Sequence, residues 1–77
     1  MTFRIEGKRV RRRRMVQTDN YVVVLMVEAV IPEDDPSEAV FEPAVVNFLK
    51  EVQEHAEAGD LEWLRQHGKV YEAVDAA

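Results

Sequence analysis

The sequence predicts an α+β fold: a long antiparallel β-hairpin followed by two α-helices packing on one sheet face. Three observations lead there. Residues Tyr21 to Ile31 are dense in β-branched side chains and show no helical period. From Val45 onward the apolar positions fall on one stripe at 3.6-residue spacing. Between these stretches, Pro32 to Glu38 holds two prolines and four acids, a composition that can continue neither a sheet nor a core.

The strand at 21–31 is apolar on both faces, as expected of a strand covered on both sides. Residues Thr2 to Gln17 are its expected antiparallel partner, with Asp19-Asn20 as a two-residue turn, because both residue types tolerate positive φ. That turn pairs Gln17 with Val22, Met15 with Val24, Arg13 with Met26 and Arg11 with Glu28, the last a favourable cross-strand neighbour. Gly7 marks either a bulge or the end of the strand.

The chain reads as one small domain, with a hairpin at 1–31, an acidic proline-containing linker at 32–42 and a helical half at 43–77. Residues 39–42 fit a short extended piece or a helical turn equally well. Pro43 suits the first position of a helix, where its missing N–H is harmless. Val45, Phe48, Leu49, Val52 and Ala56 form the inward stripe, while Lys50, Glu51, Glu54 and Glu57 take the outer face. Gly59 ends that helix, Asp60 caps a second one over Leu61 to His67, and Gly68 ends it. Val70, Tyr71 and Val74 allow a third strand or a helical turn, and Asp75 to Ala77 should fray. The expected core is Val23, Leu25, Val27, Phe48, Leu49, Val52, Trp63 and Leu64.

Charge is the most polarised property of the chain. Residues 1–17 carry +7 and −1, while residues 18–77 carry +3 and −14, leaving −5 overall. Such fields govern encounter rather than fold. Seven of the ten basic residues lie between Arg4 and Arg14, which makes Lys8, Arg9, Arg11, Arg12, Arg13 and Arg14 the candidate binding residues. On a strand, Arg12 and Arg14 face one way and Arg11 and Arg13 the other. The plain alternative is a solvated strand whose arginine stems cover apolar surface and whose charge discourages edge-to-edge aggregation. Guanidinium groups also bind phosphates bidentately, and a β-ribbon can lie in a nucleic-acid groove. Yet no aromatic residue is interleaved with the run, and the pI of about 4.9 is far from that of a nucleic-acid domain. An acidic protein surface therefore ranks above nucleic acid as partner.

Catalytic and metal chemistry find little support. There is no cysteine and no HExxH, and His55 and His67 sit on different expected helices. Glu51 and His55 share a helix face, but one such pair makes neither a metal site nor a proton relay. Glu33-Asp34-Asp35, with Glu38 and Glu42, does not match a Ca²⁺-loop pattern; it reads as a solvated linker able to fold back on the arginines. Ser37 is the single serine, and no glycine cluster could cradle a phosphate. The expectation is a non-enzyme with no metal, no cofactor and no small-molecule substrate. No stretch approaches the ~20 apolar residues of a membrane span, and the run at 21–27 is too short for a signal peptide. Cytoplasm is the default compartment.

The leading expectation is a small regulatory or interaction module that binds a partner protein through the basic hairpin or an apolar helix face. Phe48, Trp63 and Tyr71 are the possible interface aromatics. The second is an antitoxin-like nucleic-acid regulator using the arginine ribbon, and the third an accessory subunit of a larger enzyme. A strand apolar on both faces, with two helices to cover one, further predicts a homodimer. The long hairpin separates the chain from ribbon–helix–helix repressors, which place one short strand before two helices.

Overall fold

A computed structural model describes residues 4–74. Its elements are β1 (Gly7–Gln17), β2 (Tyr21–Pro32), α1 (Pro43–Glu57), α2 (Leu61–His67) and β3 (Lys69–Glu72). The three strands form one antiparallel sheet in the order β1-β2-β3, and the helices pack on one of its faces. The expected strand residues Thr2 and Phe3, and the expected frayed end at 75–77, lie outside the described residues.

The hairpin has the anticipated register, with Gln17 opposite Val22, Met15 opposite Val24, Arg13 opposite Met26 and Arg11 opposite Glu28. Pairing runs unbroken from Gly7 opposite Pro32, so Gly7 starts the strand and no bulge interrupts it. The turn differs from expectation in its backbone. No described residue other than glycine has positive φ. Instead Thr18 N–H donates to the Tyr21 carbonyl at 2.8 Å, while the Thr18 hydroxyl accepts the Tyr21 N–H at 3.2 Å. A side chain thus stands in for a bond that a primed turn would make with the backbone.

Odd-numbered residues of β2 face the helices. Val23, Leu25 and Val27 pack with Val16, Val52, Ala56 and Leu64 in the buried core. Phe48, Leu49 and Trp63, expected to be buried, are half-buried and pack against that core from its margin. The two ends of the helical half are set locally. Pro43 opens α1 with Val45 N–H donating to the Glu42 carbonyl at 3.0 Å. Gly59 at φ 71° reverses the chain, a conformation an L side chain resists. Asp60 then accepts the Trp63 N–H at 3.3 Å and caps α2.

After α2 the chain returns to the sheet. Gly68 lies so close to β2 that a Cβ there would stand 2.6 Å from the Val24 carbonyl oxygen. Beyond it β3 pairs Lys69 with Val24 and Tyr71 with Val22, which settles the expected terminal element as a strand. Val40 also bridges Val30 through two 2.8 Å backbone bonds, so the end of the acidic segment is stitched to the sheet. The hairpin outreaches the helices: twelve residues of β2 rise about 40 Å against about 22 Å for α1. Accordingly the molecule is elongated, 49 × 29 × 17 Å. Among the described residues no helix is long and apolar enough to cross a membrane.

Candidate functional site

The candidate basic residues all lie on β1, and the register sorts them. Arg12 opposite Val27 and Arg14 opposite Leu25 stand on the helix side of the sheet, with Lys8 opposite Ile31. Arg11 opposite Glu28 and Arg13 opposite Met26 stand on the open side, with Arg9 opposite Val30.

Arg9 differs from the others. Its guanidinium donates to both carboxylate oxygens of Glu42, to Glu28 at 3.1 Å and to the Ile5 carbonyl at 3.2 Å. Glu42 also accepts the Ile5 N–H at 2.6 Å. These bonds hold the Glu42 carboxyl below its ordinary range, the Arg9 bond most strongly and the Ile5 bond next, and raise the Arg9 guanidinium in turn. Arg9 therefore clamps the segment entering α1 against the sheet, closing the open face beside the buried Val30.

Arg11, Arg12, Arg13 and Arg14 are exposed, and among the described residues none of them forms an ion pair. Arg14 lies over the Phe41 ring at 5.1 Å, a cation–π contact that anchors it beside the core. Arg12 donates to the Arg11 carbonyl at 3.2 Å. Lys8 is likewise exposed, at the far end of the same strand.

The open face adds residues that linear reading could not join to the arginines. β3 brings Lys69 and Tyr71 to the same side, with the Lys69 ammonium 5.5 Å from the Tyr71 ring centre. Arg11, Arg13, Met26, Lys69 and Tyr71 line a shallow groove of about 520 Å³. Met15, Met26 and Tyr71 are exposed beside it, with half-buried Val22 and Val24 between them. The absence of a nearby aromatic in the arginine run is thus made good in space by a strand far along the chain.

The other two candidate aromatics lie elsewhere. Trp63 packs against two imidazoles, His55 stacked at 3.8 Å and 5° and His67 tilted at 4.3 Å and 41°. Phe48 closes the cluster edge-on to His67 at 5.3 Å. Asp60, while capping α2, also accepts from His55 Nδ1 at 3.0 Å. These ring contacts join Phe48 and Trp63 across α1 and α2, and Tyr71 alone of the three lies on the basic face. The spacing of Trp63 and His67 by one helical turn was a visible signal for half of this cluster. His55 joins it through the Gly59 reversal. Among the described residues no three histidine, cysteine or acidic side chains come together to hold a metal.

Compared with known protein families, with curated proteins and with solved structures, the chain matches none.

Proposed function

We propose that this chain is a small non-catalytic interaction module that binds an acidic surface of a partner protein through its basic hairpin. The observation that supports this reading is the contrast between Arg9 and its neighbours. Arg9 is neutralised by two glutamates within the chain, whereas the next four arginines of the strand are exposed and without ion pairs among the described residues. Charges arranged this way raise the rate of encounter with an oppositely charged surface. Replacing Arg11 to Arg14 with glutamine takes the chain from −5 to −9. The fold should persist, because exposed charges contribute only ~0–1 kcal/mol each. Partner capture from lysate should collapse, mostly through slower association. Recovery of the same partners by both versions refutes the reading.

A second reading, binding of single-stranded nucleic acid, is favoured by one observation. Lys69 and Tyr71 stand beside Arg11 and Arg13 in one groove, pairing a ring for base stacking with basic side chains. It predicts oligonucleotide affinity that falls by orders of magnitude between low and physiological salt and weakens with Tyr71→Ala.

A further inference from the structure

β1 is an edge strand of eleven residues in unbroken register. Long, flat edges template pairing with other chains, and proteins blunt them with bulges, prolines or charge. Here β1 has neither bulge nor proline, and charge is the remaining guard. The ladder shows which groups it guards. Thr18 donates to Tyr21 and Glu33 to Glu6, so even-numbered residues of the β1 side bond inward to β2. By the alternation of an antiparallel ladder, Arg9, Arg11, Arg13 and Met15 turn their backbone N–H and C=O groups outward. The Arg12 side chain on the Arg11 carbonyl occupies one of these outward acceptors.

The pattern of the guard selects among occupants. In a two-fold antiparallel pairing of β1 with a second copy the outward-turned odd-numbered residues must meet one another, and every such register centred from Arg9 to Arg14 sets arginine opposite arginine, which is destabilising. The chain's own acidic segment cannot supply the added strand either, because Pro32 and Pro36 interrupt it. An acidic strand from another protein meets the opposite situation. Consecutive arginines alternate faces, so consecutive acids alternate with them: two carboxylates reach Arg11 and Arg13 on the open side, two reach Arg12 and Arg14 on the helix side.

We infer that β1 captures its partner by strand addition, pairing its outer edge with an extended, proline-free segment of about four consecutive acidic residues. This rests on the acidic-partner reading above and adds to it the backbone ladder. The probe is a peptide of four glutamates flanked on each side by valine and threonine, titrated against the full chain. A second peptide, identical in charge, is N-methylated at the four glutamate amides and so lacks their donors.

Strand addition predicts that the methylated peptide binds about tenfold more weakly. It also predicts that in the complex the amides of Arg11, Arg13 and Met15 become protected from hydrogen exchange, while those of Arg12 and Arg14 keep the protection they have in the free chain. Equal binding of the two peptides, with no alternating protection, overturns strand addition and leaves the acidic-partner reading standing. Failure of the unmethylated peptide to bind, or its displacement by a single-stranded oligonucleotide of equal charge without edge protection, overturns both.

Discussion

Replacing Gly68 with alanine adds one methyl group where the chain leaves α2 and rejoins the sheet. The backbone there is extended, with φ −165°, so alanine meets no dihedral penalty. In open space such a change stabilises by ~0.4–1 kcal/mol, because it reduces the freedom of the unfolded chain. At this position the new methyl would stand 2.6 Å from the Val24 carbonyl oxygen and 3.0 Å from the Leu25 Cβ. Both belong to the central strand, where the backbone cannot rotate aside. Overpacking of this kind costs ~1–3 kcal/mol, which reverses the sign and leaves a net loss of about 1–2 kcal/mol. For a domain of this size the thermal midpoint should fall by about 5–15 °C. The chain relieves the clash most easily by lifting β3 off β2, so exchange of the β3 amides should accelerate more than that of β1. A midpoint equal to or above wild type would show that the approach of Gly68 to Val24 is not a constraint on the fold.

Leu64 is fully buried, and Leu64→Ala should cost ~2–4 kcal/mol. That is a large share of the ~4–12 kcal/mol available to a chain of this length, and chemical denaturation measures it. The Arg9–Glu42 clamp predicts an acid limb. The Glu42 carboxyl lies below its ordinary 4.5 when folded, so its contribution is complete above about pH 4.5 and is lost as pH falls through the lower folded value. Glu42→Gln should therefore be less stable than wild type at neutral pH, with the gap closing on acidification; a gap independent of pH counts against the clamp. Exposed Met15, Met26 and Tyr71 on the open face lead us to expect a dimer, with a mass near twice 8.9 kDa by light scattering and a shift toward monomer in Met26→Lys. A mass of 8.9 kDa for the wild-type chain at tens of micromolar rejects it.

The hairpin register was legible because a two-residue turn at Asp19-Asn20 fixes every pair once the strands are placed. The turn's backbone was not, since Thr18 lends its hydroxyl where positive φ was expected. Pro43, Gly59 and Asp60 announced both helices through local chemistry that acts within a few residues. What stayed hidden depends on distant parts of the chain. Glu42 was visible as an acid, but its pairing with Arg9 exists because Val40 is stitched to Val30. Tyr71 was visible as an aromatic, yet only the pairing of β3 with β2 sets it on the arginine face. The half-burial of Phe48 and Leu49 reflects the breadth of the apolar stripe, whose flank the short α2 covers in part.

The two ladders of the sheet also close on different timescales. β1 meets β2 around a tight turn, the kind of local event that takes microseconds. β3 meets β2 only by returning Lys69 to Glu72 onto Tyr21 to Val24 across both helices, a non-local closure that slows assembly. In that interval the second edge of β2 is bare, and from Tyr21 to Val27 it carries no charge. The same exposure recurs in the folded protein, because a four-residue strand with mostly exposed side chains opens locally at less cost than the whole domain. The hazard of self-association thus sits on the side of the sheet away from the arginines. β3 covers that edge from Tyr21 to Val24, and Lys69 and Glu72 at its two ends set a charge of each sign beside it, the kind of placement that guards an apolar strand.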